Sequence, residues 1–139
     1  MLLRHDGLID KLIGDELMAL FIPGVTGPDY RRRAVSAGLD MLRAVGYGTP
    51  EGPWLEVGAA VNAGIAYVGN VGSEVVDFTA LGDPVNVAAR LQGRAAGGEL
   101  VVAHDVCDDL AGLLPGARAE TMQVKGREQP VEALVASAA

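Results

Sequence analysis

Cysteine is almost absent. Cys107 stands alone in 139 residues, so no disulfide can form within the chain and no zinc ligand set is visible. That poverty fits a reducing, intracellular compartment, and a cytoplasmic location is expected. Aromatic residues are scarce too, at 4% of the chain, so the core has to be built from Val, Leu, Ile and Ala. Positive charge is in deficit: Lys and Arg number 11 against 18 Asp and Glu, giving a net charge of −7. Such a chain lacks the phosphate-neutralising surface on which nucleic-acid binding depends, so no nucleic-acid partner is expected. A small phosphorylated ligand is still compatible, because a few local cations with a metal ion can override the overall sign. No apolar run is long enough to span a bilayer, and "MLLRHDGLID" lacks the pattern of a secretory signal, so no membrane contact is expected from this segment.

What is present describes a globular protein with many tight turns: half the residues are hydrophobic and 19 are Gly. The length is that of one domain, residues 1–139. Residues 7 to 22, "GLIDKLIGDELMALFI", are two apolar runs around Gly14-Asp15, the signature of a hairpin. Each run is nearly continuous, which predicts an interior hairpin covered on both faces. "GVTGPD" (24–29) is loop chemistry, and Asp29 can cap a helix over Tyr30 to Val45. Its apolar stripe comprises Ala34, Ala37, Leu39, Met41, Leu42 and Val45. Trp54 to Val71 reads as two strands joined near Asn62-Ala63-Gly64, and Val75 to Leu81 as a third. A helix follows, with Asp83 at its cap and Pro84 in its first turn. Then come a strand over 97–103, a short helix from His104 to Leu113, and a closing hairpin turning at "KGREQ". This mixture predicts an α+β sandwich, helices covering one face of a mainly antiparallel sheet. A buried hairpin at the very front needs sheet neighbours, so an upstream strand is expected to be missing from this chain.

Five positions bear on chemistry, each with a bland alternative. Lys11 interrupts an apolar strand, where an ammonium needs a partner, reaches a pocket, or snorkels from the strand end. Asp15 at a hairpin tip suits turn geometry, but it is also placed to hold a hard cation such as Mg²⁺. Asn86 and Arg90, one helical turn apart, are either a solvated face or a pair aimed at something; a guanidinium fork suits phosphate. Lys125 in its hairpin turn is most simply a solvent-facing side chain. "GNVGS" (69–73) matches neither glycine-rich phosphate fingerprint and reads as a turn.

Taken in order, four segments resemble the catalytic domain of the class III adenylate and guanylate cyclases. "DGLIDKLIGDELMALF" is similar to the family's Lys-x-x-Gly-Asp hairpin, and "GIAYVGNVGS" to its Gly-x-Val-x-x-Gly-x-Val-Gly strand. "DFTALGDPVNVAARL" follows its Asp-Tyr-Thr-x-x-Gly-Asp-x-Val-Asn-x-Ala-Ala-Arg-Leu segment, and "VKGREQPVEALV" its closing Val-Lys-Gly hairpin. The resemblance implies a ferredoxin-like nucleotide cyclase fold. It implies conversion of a nucleoside triphosphate to the 3′,5′-cyclic monophosphate and pyrophosphate, with two divalent ions, Mg²⁺ or Mn²⁺, at the α-phosphate. Asp15 matches a metal ligand, and Lys11 with Thr79 the purine-reading pair. That pair resembles the adenine-selective set found in a subgroup that includes bicarbonate-responsive cyclases, so ATP is expected over GTP. Asn86 matches the ribose-orienting residue, Arg90 the arginine that stabilises charge on the α-phosphate, and Lys125 the lysine on the terminal phosphates. The family's site forms across a head-to-tail dimer, so a homodimer or a partner cyclase domain is implied.

The sequence also departs from the pattern. The Asp-[Ile/Leu]-x-Gly-[Phe/Tyr] strand that carries the other metal ligand belongs before Lys11 and is not found here, which implies weak or no activity for this chain taken alone. "GSEVVDFT" lacks the usual basic residue, and Asn62 stands where the family tends to have His. A non-catalytic, cyclase-like nucleotide-binding or dimerisation module is the alternative reading. "IGDEL" is similar to the Gly-Gly-Asp-Glu-Phe signature of diguanylate cyclases, but that reading gives no reason for the Val-Asn-x-Ala-Ala-Arg helix.

Overall fold

Two apolar runs at the front pair as expected. In the computed structural model, which describes residues 5, 7–13, 16–71, 77–106, 108–124 and 127–138, they form β1 (Leu8–Ile13) and β2 (Glu16–Leu20). The pair is antiparallel, with Lys11 opposite Met18 and an irregularity between Ile9 and Lys11. The expected turn residues, Gly14 and Asp15, lie outside the described residues. β2 is less interior than its sequence suggests: Glu16 and Leu17 are exposed and Met18 to Leu20 only half-buried. A continuous apolar run establishes that both faces can be covered, not that this chain covers them.

A short helical turn, α1 (Pro23–Thr26), replaces part of the expected loop. The next helix, α2, runs over Tyr30–Val45 as predicted. Asp29 occupies its N-cap position without a side-chain cap bond; its carboxylate pairs instead with Arg33, 3.1 Å away. At the other end Gly46 adopts a left-handed conformation, φ 117°, and its N–H closes the helix on the Arg43 and Leu42 carbonyls. The buried stripe is Ala34, Val35, Ala37, Gly38, Leu42 and Val45, while Leu39 and Met41 are partly covered.

Among the described residues the strands divide into three sheets. Besides the front hairpin there is a four-stranded sheet in the order β3 (Ala59–Val61), β6 (Glu99–Ala103), β8 (Val131–Ser137), β7 (Arg118–Met122). A second hairpin joins β4 (Tyr67–Val71) to β5 (Asp77–Leu81). All strand pairs are antiparallel except β3 with β6. The fold is therefore α+β with mainly antiparallel sheet, as expected. The backbone of β1 passes close to β5 and brings the two hairpins together. The helix α3 (Asp83–Gln92) starts one residue earlier than predicted, with Gly82 and not Asp83 at the N-cap. The stretch expected as one helix after β6 is instead a 3₁₀ turn over His104–Val106 and a short α4 (Leu110–Leu113).

One core joins the four-stranded sheet to α2 and α3. Leu100, Val101, Val102 and Ala103 of β6 are buried, as are Ala133, Val135 and Ala136 of β8. Leu42 of α2 and Leu91 of α3 are fully covered. Among the described residues Tyr47 is the one ring in the buried cluster. Tyr47 is satisfied by accepting the Val57 N–H at 3.0 Å. Among the described residues no helix is long and apolar enough to cross a membrane.

Candidate functional site

The helix α3 is held at several points, and this attachment decides what its polar side chains face. Val87 and Leu91, four residues apart, are buried in the core, 3% and 0% exposed. The Asn62 side chain donates to the Pro84 carbonyl at 3.0 Å, tying the end of β3 to the first turn. Gly64 lies so near Pro84 that a Cβ added there would come within 2.5 Å of the ring. Asp83 and Arg127 form an ion pair, and Arg94, just past the helix end, donates to the Gln123 carbonyl at 2.7 Å.

With Val87 and Leu91 turned inward, Asn86 and Arg90 are exposed. They share one side of α3, separated by a single turn. Neither lines the open groove of about 400 Å³ beside the start of α3, which is walled by Asn62, Asp83, Val87, His104, Arg127 and Glu132 among others. The amide and the guanidinium are thus presented outward from one chain, where a ligand or a second chain can meet them.

Of the other predicted site residues, Lys11 lies on β1 and Thr79 on β5, opposite Gly69 of β4. Because β1 and β5 approach each other, the two strands expected to read the base are neighbours. Asp15 and Lys125 lie outside the described residues. Of the nearest described residues, Val124 is buried and Arg127 exposed. No group of three or more His, Cys, Asp or Glu side chains among the described residues could hold a metal ion. The described residues therefore do not by themselves make a metal site.

Asn62, Arg94 and Arg127 position α3, and sequence reasoning did not single them out for it. Asn62 stood out only as a departure from the family's His. The partners of Arg94 and Arg127 are 29 and 44 residues away, so no local spacing signals them.

The sequence profile of the adenylate and guanylate cyclase catalytic domain matches residues 4–136. An uncharacterized protein of Mycobacterium tuberculosis is 34% identical over 144 aligned residues, covering 95% of this chain and 25% of its own length. An adenylate cyclase of Anabaena cylindrica is 33% identical over 112 residues, covering 76% of this chain and 22% of its own. The chain thus spans about a quarter of the length of the curated relatives it matches. Among solved structures, the adenylyl cyclase CyaB from P. aeruginosa superposes with a TM-score of 0.70 at 27% identity, covering 98% of this chain and 74% of that one. The guanylyl cyclase Cya2 superposes with a TM-score of 0.72 at 26% identity, covering 96% and 71%.

Proposed function

The chain belongs to the adenylate and guanylate cyclase catalytic-domain family, and from that premise we propose that it forms 3′,5′-cyclic AMP and pyrophosphate from ATP, in the cytoplasm, as part of a signalling protein. In this reaction the ribose O3′ forms a bond to the α-phosphorus while the bond from that phosphorus to the pyrophosphate oxygen breaks. The hydroxyl proton passes to water. The observation that carries the reading is the outward pair on α3: Asn86 orients the ribose, and Arg90 donates to the oxygens of the α-phosphate as charge builds there. A guanidinium fixed on a helix is set before the reaction starts, so little reorganisation is needed at the transition state.

Lys11 and Thr79, on neighbouring strands, select adenine in this reading. Lys125 contacts the terminal phosphates and Asp15 is a ligand for Mg²⁺ or Mn²⁺, which when bound neutralises triphosphate charge. Because Asn86 and Arg90 are presented away from their own chain's groove, a second chain is needed to close the site, and a head-to-tail homodimer supplies it. We treat residues 1–139 as one catalytic domain.

The test is cyclic-nucleotide production by the complete protein with ATP or GTP and Mn²⁺. ATP is expected to be preferred, and Arg90→Ala to lower kcat about 10²–10³-fold, the usual loss of one preorganised donor. No product from the complete protein, with Arg90→Ala indistinguishable from it, sinks the catalytic reading. A preference for GTP sinks the assignment of Lys11 and Thr79 to adenine.

A further inference from the structure

Two side-chain amides fasten α3 lengthwise to β3. Asn62, just past the end of the strand, donates from Nδ2 to the Pro84 carbonyl in the first turn of the helix, at 3.0 Å. Gln92, the last residue of the helix, reaches from Nε2 to the carbonyl of Gly58, just before the strand, at 3.5 Å. The first is a hydrogen bond of ordinary length; the second is long and weaker. The end of β3 thus meets the start of α3, and the start of β3 meets its end. The two spans agree. Four extended steps from Gly58 to Asn62 cover about 13 Å, and eight helical steps from Pro84 to Gln92 about 12 Å. Glycine permits close approach at both ends: a Cβ on Gly58 would stand 2.8 Å from the Ala95 carbonyl oxygen, as one on Gly64 would stand 2.5 Å from Pro84. Asn86 and Arg90 lie between the two amide contacts.

The strand is a firm reference. Ala59, Ala60 and Val61 pair in parallel with Leu100, Val101 and Val102 of β6, all fully buried. Burial of Val87 and Leu91 holds α3 against the core, but apolar contact is non-directional and sets position along the helix axis less sharply than a hydrogen bond. The links of Asp83 with Arg127 and of Arg94 with the Gln123 carbonyl are exposed, whereas both amide contacts are partly buried. A helix shifted by about 1 Å carries Arg90 with it, and a misplacement of that size can cost about 10²-fold in rate.

We propose that Asn62 and Gln92 are positioning residues for the transfer reaction, setting α3 along β3 so that Arg90 meets the α-phosphate. The inference rests on the cyclase reading. Neither amide touches the nucleotide in this scheme; both act through the placing of the helix, Asn62 more strongly than Gln92.

The experiment uses the complete protein and measures kcat and KM for ATP with Mn²⁺ beside thermal melting. The variants are Asn62→Ala, Asn62→Asp, Gln92→Ala, and each alanine variant combined with Arg90→Ala. Asn62→Asp keeps the shape of the side chain, but its ionised carboxylate has no proton to donate. Both Asn62 variants are expected to lower kcat about ten-fold with KM changed less than about three-fold, because Arg90 acts on charge that builds in the transition state. Gln92→Ala should lower kcat about three-fold in the same manner. Once Arg90 is Ala, adding Asn62→Ala or Gln92→Ala should cost less than about two-fold, since the group they position is gone. A kcat within about two-fold of the unsubstituted protein for both Asn62 variants overturns the proposal. So does a loss that persists undiminished beside Arg90→Ala, which would make the amides general supports of the fold. If the Asn62 variants melt below the assay temperature, Gln92→Ala decides: a loss of kcat that vanishes beside Arg90→Ala upholds positioning, and an unchanged kcat overturns it. No product from the unsubstituted protein overturns the cyclase reading and this inference with it. Product from that protein, with kcat unmoved by the Asn62 variants, overturns this inference alone.

Discussion

Glu99 illustrates how a single carboxylate is held at the edge of the core. It opens β6, accepts the Ala96 N–H at 2.9 Å and is met by Arg118 at 3.0 Å across the intervening strand β8. The Ala96 hydrogen bond first, and the Arg118 guanidinium after it, hold its carboxyl below the ordinary value of 4.5, against an opposing push from burial. A lowered carboxyl stabilises the fold above the ordinary value and loses that contribution as pH falls through the lowered one. Glu99→Gln should therefore melt earlier than the unsubstituted chain at neutral pH, with the gap closing in acid. A melting-temperature series against pH checks this; a gap that stays constant down to acid pH would show that the ionised form is not what matters. Arg90 is the opposite case, an exposed group whose removal should register in rate and not in stability.

Among the elements, α3 shows how much was legible and what was not. Its existence followed from Pro84 and the Val-Ala periodicity, and α2 matched its predicted bounds because Asp29 and Gly46 punctuate it. Asp83 was expected to cap α3, but Gly82 takes that position and frees the carboxylate for Arg127. Nothing within a helix-length window signals that exchange, since the partner belongs to the last hairpin. The expected single helix after β6 divides into two pieces, and β2 is less covered than its apolar run suggested, because coverage depends on neighbours that local sequence does not specify. The candidate site residues stand out as motifs; the division of α3 into buried and exposed faces required the packing. Gly64 tests the packing itself. A methyl at that position would meet Pro84 Cγ at 2.5 Å and Cβ at 2.9 Å, and a proline ring cannot swing aside. Gly64→Ala should thus cost about 1–3 kcal/mol by denaturant unfolding and displace the first turn of α3, so activity should fall as well. Stability within about 0.5 kcal/mol of the parent would mean that the turn yields easily.

For the whole molecule, the question is whether one chain suffices. Asp15 and Arg90 serve the same reaction from different chains if the site closes head to tail. Mixing Asp15→Asn chains with Arg90→Ala chains, each nearly inactive, should then restore activity. Random assortment makes about half of the dimers mixed, and each mixed dimer has one intact site of two, so recovery should approach roughly a quarter of the unsubstituted level. A mixture no more active than its components would place both residues in one chain's site.

The inward residues of α3, Val87 and Leu91, and the outward ones, Asn86 and Arg90, answer to different demands. In the proposed reaction folding depends on the first pair and chemistry on the second. On that reading, replacing Asn86 or Arg90 would silence the chemistry while leaving a well-folded domain. A helix divided in this way would let the domain lose its reaction and keep its fold.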